Sequence, residues 1–303
     1  MQGDPLPGLV SKRTGVLLAL VTAAFWGTMP IAGKIALDGI SPYFISWFRF
    51  VTAALILGGL LWWQGRAETQ LLRRPPLLMV VAAAGLAGNY ILYIAGLQYT
   101  TATAAQFIVQ TGTIFLVTWS ALFLGERVGP LRVIGVAITL GGVFLVTWNG
   151  ESLEGLWSSD TLLGNLMVMG SALSWSLYAV LQKRLGRDHS AAGILLVVYA
   201  SGAVLTLPAG VLVPAEAPWW AWVALLFLVV NTIIAYGAFA ESLRHVDAAV
   251  TSTVAAFAPV LTVVGVAIAN HFWPGSYPGE FTLYTLAGGT LILVGIVVVL
   301  RSQ

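Results

Sequence analysis

Apolar stretches of roughly twenty residues follow one another along the chain, separated by short breaks rich in Gly, Pro and charged residues. Ten such stretches can be marked, at roughly 14–37, 42–64, 76–98, 102–124, 130–148, 161–185, 190–213, 219–242, 247–270 and 281–301. A helix rising about 1.5 Å per residue crosses about 30 Å of hydrocarbon in about 20 residues, so each stretch has the length of a span. Period-2 alternation and polar helix faces, which strands and soluble helices need, are absent from these runs. Because every backbone group in lipid must find a partner inside its own element, the pattern predicts an all-α membrane protein of ten transmembrane helices.

Composition agrees, with 58% of the 303 residues hydrophobic and only 9% charged. Cysteine is absent, which removes disulfides, thiolate metal sites and cysteine nucleophiles together. Lys12 and Arg13 precede the first apolar run, but that run outlasts a signal-peptide core and lacks a small-residue cleavage site, so it reads as a retained span. The net charge of +2 matters less than where the charges lie. Lys12, Arg13, Arg66, Arg73, Arg74, Arg127, Arg132, Lys183, Arg184, Arg187, Arg244 and Arg301 all fall in alternate breaks on one side. The positive-inside rule makes that side cytoplasmic, with both termini on it and the acidic break holding Glu151, Glu154 and Asp160 outside.

The chain also repeats itself. A shift of 149 lays Gly15, Leu17, Ala23, Trp26 and Lys34 on Gly164, Leu166, Ala172, Trp175 and Lys183, and a shift of 146 lays Tyr90, Leu97 and Ala102 on Tyr236, Leu243 and Ala248. A shift of 154 brings Gly125, Glu126, Gly135 and Gly141 onto Gly279, Glu280, Gly289 and Gly295, the extra residues marking an insertion around His271–Pro278. Chance coincidence of Gly, Ala and Leu explains such letters in any apolar chain; the Trp-to-Lys and Gly–Glu pairs are harder to obtain that way. Two halves of five spans each, 14–148 and 161–301, must enter the membrane with opposite orientation. Inverted halves are the architecture of carriers that open alternately to either side of a midplane site.

The stretch Trp26–Gly27 to Lys34, the run Trp47–Phe48–Arg49–Phe50 and the segment Leu122–Phe123–Leu124–Gly125–Glu126–Arg127 resemble the first repeat of an EamA-type member of the drug/metabolite transporter superfamily. Trp175, Lys183, Ala258–Pro259 and Gly279–Glu280 resemble its second repeat. The resemblance covers residues 14–301 and rests on motif order more than on any single motif. It implies two inverted five-helix repeats, export of amino acids or related metabolites, and a central cavity lined by helices 1–4 and 6–9 with helices 5 and 10 to one side. The chain departs from the family pattern where Gly112–Thr113 replaces the proline expected in helix 4, although its counterpart Pro259 is kept.

Ionisable groups inside hydrocarbon are suspects for function, and two stand out. Lys34 lies near the outer end of helix 1, where an i,i+4 pair with Asp38 and snorkelling give it a plain structural explanation. Arg49 lies about 12 Å into helix 2 without an acidic partner; it either bonds backbone carbonyls or meets a substrate carboxylate or phosphate at the outer mouth. No carboxylate falls mid-span, which argues against tight ion coupling, while Glu241 and Asp247 lie near the cytoplasmic rim.

Uncharged polar and aromatic residues complete the candidate site. Asn89, Tyr90, Tyr93, Gln106, Gln110, Tyr178, Asn231, Tyr236 and Ser252 are substrate-binding candidates, and for them, as for Ser171, Ser174 and Thr253, interhelical hydrogen bonding is the competing use. Trp26, Trp119 and Trp175 lie away from the interfaces where Trp62, Trp63, Trp148, Trp219 and Trp220 sit as anchors. They are candidates for aromatic walls around a substrate, against plain packing. Pro30 and Pro259 free backbone carbonyls that can line a cavity or permit bending. Gly27 to Lys34 is no phosphate loop, having one residue too many between its glycines and no following Ser or Thr. Small residues Ala137, Gly141, Gly288 and Gly289 suit close packing of helices 5 and 10, with a homodimer as the alternative use.

No acid–base or nucleophile constellation can be assembled at membrane depth, so an enzyme is not expected; nor does any repeated selectivity filter point to a channel. The expectation is a metabolite exporter of the bacterial inner membrane, with neutral or aromatic amino acids leading and broader drug, metabolite or nucleotide-sugar exchange as the alternative. Its partners would be a small-molecule substrate and the lipid bilayer, with no nucleic acid and no cofactor.

Overall fold

The computed structural model describes residues 7–66, 69–124, 129–150, 152, 159–210, 216–246, 251, 254–255, 257–277 and 279–301. Among these the chain is helical, without strands. The first half holds α1 (Pro7–Ala36), α2 (Pro42–Trp63), the short α3 (Thr69–Arg73), α4 (Leu77–Tyr99), α5 (Ala102–Ile108), α6 (Gly112–Leu124) and α7 (Pro130–Trp148). The second holds α8 (Asp160–Leu185), α9 (Ala191–Leu205), the single turn α10 (Leu207–Gly210), α11 (Trp219–His245), α12 (Ala258–Phe272) and α13 (Leu283–Arg301). Five of them, α1, α2, α4, α8 and α11, are long and apolar enough to cross a membrane, and five shorter apolar helices lie in the remaining predicted spans.

Short polar side chains start the helices. Ser41, Thr101, Ser159 and Ser190 each accept a hydrogen bond from the backbone N–H three residues ahead, and Pro42 and Pro130 fill first-turn positions that need no N–H. Helix ends differ from the predicted spans in three places. The stretch 102–124 is interrupted by a 3-10 turn, Val109–Thr111, immediately before Gly112. The stretch 190–213 breaks at Thr206, two residues ahead of Pro208, which has no N–H to give Val204 O and whose ring would crowd that carbonyl. In 247–270 the described continuous helix begins at Ala258, with Pro259 in its first turn. The fourth predicted span therefore breaks without its proline: a β-carbon on Gly112 would come within 3.1 Å of the Trp175 ring and 3.3 Å of Ala172 O, so any larger residue would press on α8 at the break.

The most extensive helix pairings are α4 with α8, α1 with α11 and α7 with α13. Residues touching in the first pair map onto those touching in the second under the sequence shifts. Asn89 Nδ2 donates to Ser171 O (3.1 Å), and the related Thr22 Oγ1 donates to Ala235 O (3.3 Å). Gly96 packs so tightly on Gly164 that a β-carbon would lie 2.7 Å from Gly164 O, and the related Ser242 Oγ donates to Gly15 O (2.9 Å). In the α7–α13 pair the facing glycines are Gly135 with Gly295 and Gly142 with Gly288, whereas Gly141 faces open space and Gly289 packs on Phe107. These contacts superpose at a shift of 153, one less than the 154 read from the letters, because the buried helix face selects Gly142 and not its neighbour.

Of the tryptophans expected at the interfaces, Trp62, Trp63 and Trp219 are more than 70% exposed on the bundle's surface, whereas Trp148 packs between Phe144 and Tyr284. Asp38 does not pair with Lys34 among the described residues. The helix ends at Ala36, so Asp38 lies in the turn beyond it, off the face that i,i+4 spacing assumes, and its Oδ2 accepts the Trp220 indole N–H at 2.8 Å.

Candidate functional site

The helices enclose a central cavity of about 80 Å³ lined by Trp26 and Met29 from α1, Arg49 from α2, Asn89, Tyr90 and Tyr93 from α4, Gln106, Val109, Gln110 and Thr113 across the α5–α6 break, Trp175 from α8, Tyr236 and Phe239 from α11, and Ala255. Nine of the sequence candidates thus converge on one space: Trp26, Arg49, Asn89, Tyr90, Tyr93, Gln106, Gln110, Trp175 and Tyr236.

Arg49 is 1% exposed and forms part of the cavity wall, deeper than an outer mouth. Its Nε donates to Thr232 Oγ1 at 2.9 Å, Nη2 approaches Met29 Sδ at 3.8 Å, and the guanidinium lies 4.0 Å from the Tyr90 ring centroid. Thr232 passes its own proton to Leu228 O (2.9 Å) and accepts a weak bond from Tyr90 Oη (3.4 Å), so its oxygen is committed to holding the arginine. Phe50 stacks on Tyr90 with ring centroids 4.6 Å apart. Guanidinium, Tyr90 and Phe50 contact in sequence, fixing the cation by attraction to a ring face, worth about 2 kcal/mol when desolvated.

An aromatic wall adjoins Tyr90 through Tyr236, whose ring is 5.9 Å away. Trp26 meets Trp175 edge-on (5.8 Å, 88°), Tyr236 at 5.8 Å and Phe239 at 5.3 Å. Three amides share the lining: Gln106 Oε1 accepts from Tyr93 Oη (3.3 Å), Asn89 is anchored by Ser171 O, and Gln110 sits within the 3-10 turn. No carboxylate lines this cavity among the described residues. The arrangement can hold a small solute with an anionic head and a flat apolar body.

Other candidates lie in helix seams. Trp119 Nε1 donates to Ser176 Oγ (3.0 Å) where α6 meets α8. Asn231 Nδ2 donates to Phe25 O between α11 and α1. Tyr178 is fully buried, its ring 5.9 Å from that of Tyr236. Ser171 bonds back to Val168 O, and Ser174 packs against Gly85 and Gly88. Pro30 is buried in α1 and Pro259 caps the first turn of α12, both outside the cavity wall. Ser252, Thr253, Asp247 and Glu126 lie outside the described residues. Met29, Val109, Thr113, Phe239 and Ala255 line the cavity without having been marked from sequence. Four were within reach, since Met29, Val109, Thr113 and Phe239 follow Trp26, Gln106, Gln110 and Tyr236 by three residues, on the same helix stripe.

Two clefts flank the bundle's ends. One, of about 380 Å³, is lined by Lys34, Asp38, Thr101, Trp220, Tyr277 and Glu280 among others. Glu280, 3% exposed, accepts the Ala102 and Thr103 N–H groups (2.8 and 2.7 Å) and so ties the segment before α13 to the start of α5. The insertion ahead of it folds back through two bonds between Asn270 and the Tyr277 backbone (3.1 and 3.0 Å). Burial, with Glu280 nearby, pushes the Tyr277 phenol up to about 12, so it stays a donor, aimed at Ile31 O. The other cleft, of about 540 Å³, is lined by Arg66, Lys183, Arg187, His189 and Arg244, the last paired with Glu241 (3.0 Å), and by no acidic residue among the described ones.

A polytopic helical membrane protein with a closed-in, amphipathic cavity at the crossing of its long helices has the build of a small-solute carrier. Comparison with known proteins then fixes the family: the model of the EamA-like transporter family matches twice, over residues 13–148 and 162–301, and the chain belongs to that family. It is 34% identical to the uncharacterized inner membrane transporter YhbE of Escherichia coli (strain K12), over 86% of this chain and 82% of that one. It is also 29% identical to an uncharacterized transporter of Haemophilus influenzae, covering 93% and 92%. One crystal structure superposes with a TM-score of 0.66 at 20% identity, over 94% of this chain and 96% of the other, which shows a shared fold.

Proposed function

We propose that this protein is a secondary transporter that exports small metabolites from the cytoplasm by alternating access, built as ten spans in two oppositely oriented halves. The observation that carries this reading is the cavity itself, where an arginine, three amides and an aromatic wall from both halves converge at the centre of the bundle. The exchange of helix contacts between α4–α8 and α1–α11 supports two related halves, because five spans per half turn the second upside down. The naming of YhbE as an inner membrane transporter supports the location, and the segregation of basic residues supports cytoplasmic termini.

The substrates that fit are small carboxylates with an apolar or aromatic body, aromatic and neutral amino acids among them. The carboxylate would meet Arg49 and the amides, and the body would lie against Trp26, Trp175 and Phe239. With no acid lining the cavity among the described residues, flux should depend weakly on a proton gradient. The test is uptake and counterflow by the purified protein in liposomes, using a panel of labelled amino acids and aromatic acids at two pH values. Saturable, trans-stimulated exchange of at least one of them is expected; absence of exchange for the whole panel would overturn the reading.

A further inference from the structure

The two ends and the middle of the bundle carry different charge. The cleft at the basic end presents Arg66, Lys183 and Arg187, with Arg244 paired to Glu241 (3.0 Å) at its edge and no carboxylate among its described lining residues. The central cavity holds one charge among its described lining residues, the cation of Arg49. The cleft at the opposite end holds Asp38 and Glu280 against a single lysine. An anion would therefore be gathered at one mouth, paired in the middle and repelled at the other.

The cavity's hydrogen bonding points the same way. A guanidinium has five N–H donors; Thr232 and the weakly accepting Met29 sulfur take bonds from Arg49 and the Tyr90 hydroxyl lies close by, which leaves donors over. The remaining donors of a side chain 1% exposed await an acceptor, and the bidentate geometry of a carboxylate suits them. A free amino acid brings an ammonium about 3 Å from its own carboxylate, so its cation would lie near the guanidinium. At about 5 Å and an effective dielectric near 20, that repulsion corresponds to a factor of roughly 250 in binding. Amide oxygens of Asn89 and Gln110 can offset part of it as neutral dipoles, but no anion in the described lining can cancel it.

Resting on the transport reading above, we infer that the site prefers a net-anionic aromatic carboxylate, one lacking an α-ammonium group, over the zwitterionic amino acid of the same shape. Its outward passage moves one negative charge across the membrane. With the cytoplasm negative, the potential itself drives export, up to an equilibrium ratio of about 50-fold per 100 mV.

The discriminating pair is 3-phenyllactate and L-phenylalanine, which differ only in a hydroxyl against an ammonium. The purified full chain in liposomes, under potassium diffusion potentials set with valinomycin, should take up phenyllactate with kcat/KM at least about 10-fold above phenylalanine. Its initial rate should rise as the interior is made positive. Arg49→Gln should erase the difference between the two solutes. Arg49→Lys, which keeps the charge, should retain it at lower affinity, separating charge from folding. Phenylalanine moving as well as phenyllactate, or flux independent of potential, would overturn this inference and leave the carrier reading standing. Exchange of other solutes with neither of these two would do the same, and no exchange of any solute would remove both.

Discussion

The two halves of this protein share their aromatic residues but not their polar ones. Under the same shifts that relate the helices, Trp26 corresponds to Trp175, Tyr90 to Tyr236, Tyr93 to Phe239 and Val109 to Ala255, and all eight line the cavity. The Trp26–Trp175, Tyr90–Tyr236 and Phe50–Tyr199 ring contacts (5.8, 5.9 and 6.4 Å) each join a residue to its own counterpart, so the aromatic frame lies along the line where the halves meet. The polar positions break the relation: Arg49 corresponds to Val198, Asn89 to Ala235, and Thr232, which holds the arginine, to Leu86. Under the proposed alternating access, a frame made twice would let either half move against the other with equivalent apolar contacts. Recognition needs one defined orientation of the solute, which duplicated charges would spoil by placing two like cations in one low-dielectric space.

This contrast can be broken most severely by moving the charge. Val198→Arg places a cation at a fully buried position whose neighbour Leu86 offers no acceptor, and should cost about 4 kcal/mol or prevent folding, read as lost expression or a lower thermal midpoint in detergent. Arg49→Leu removes the charge with little cost in insertion, and should lower kcat/KM for carboxylate substrates about 100-fold, as loss of a charged hydrogen bond of about 3 kcal/mol predicts. Glu280→Gln, outside the cavity, should cost about 2 kcal/mol of stability through its two N–H bonds while leaving substrate preference unchanged, which thermal unfolding and flux measured together would show. Trp26→Phe and Trp175→Phe should reduce transport equally, each by about 5-fold, since the two rings hold equivalent places; a large difference between them would deny the shared frame. Gln110→Ala should have the smallest effect, a few-fold loss of flux at normal insertion, because its amide is one of several neutral partners.

Much of this was readable along the chain. The lengths of the apolar runs located the helices because hydrocarbon thickness sets a length, and the shifts of 149 and 146 showed the repeat, which the contacts of α4–α8 and α1–α11 then follow. Arg49 could be singled out because an unpaired charge in lipid is costly wherever it points. Resolution failed for residues whose alternatives cost nearly the same. Asn231 and Asn89 look alike in sequence, yet one is spent on Phe25 O in a seam while the other borders the cavity. Trp119 and Trp175 are both mid-span tryptophans, and only packing sends the first to Ser176 and the second to the aromatic wall.

By itself the sequence determined the helical class, the places of the apolar helices, the family and the paired Trp26/Trp175 and Tyr90/Tyr236 of its repeat, all of which follow from the lengths of apolar runs and from residue identity at fixed intervals. The tertiary structure alone decided which stripe of each helix faces the cavity, where the fourth predicted span breaks without a proline, and which glycines meet between α7 and α13. The physical reason is that these helices are apolar on nearly every side. Lipid, a neighbouring helix and a cavity wall all accept the same side chains, and the choice among them is made by close packing between elements far apart in the chain.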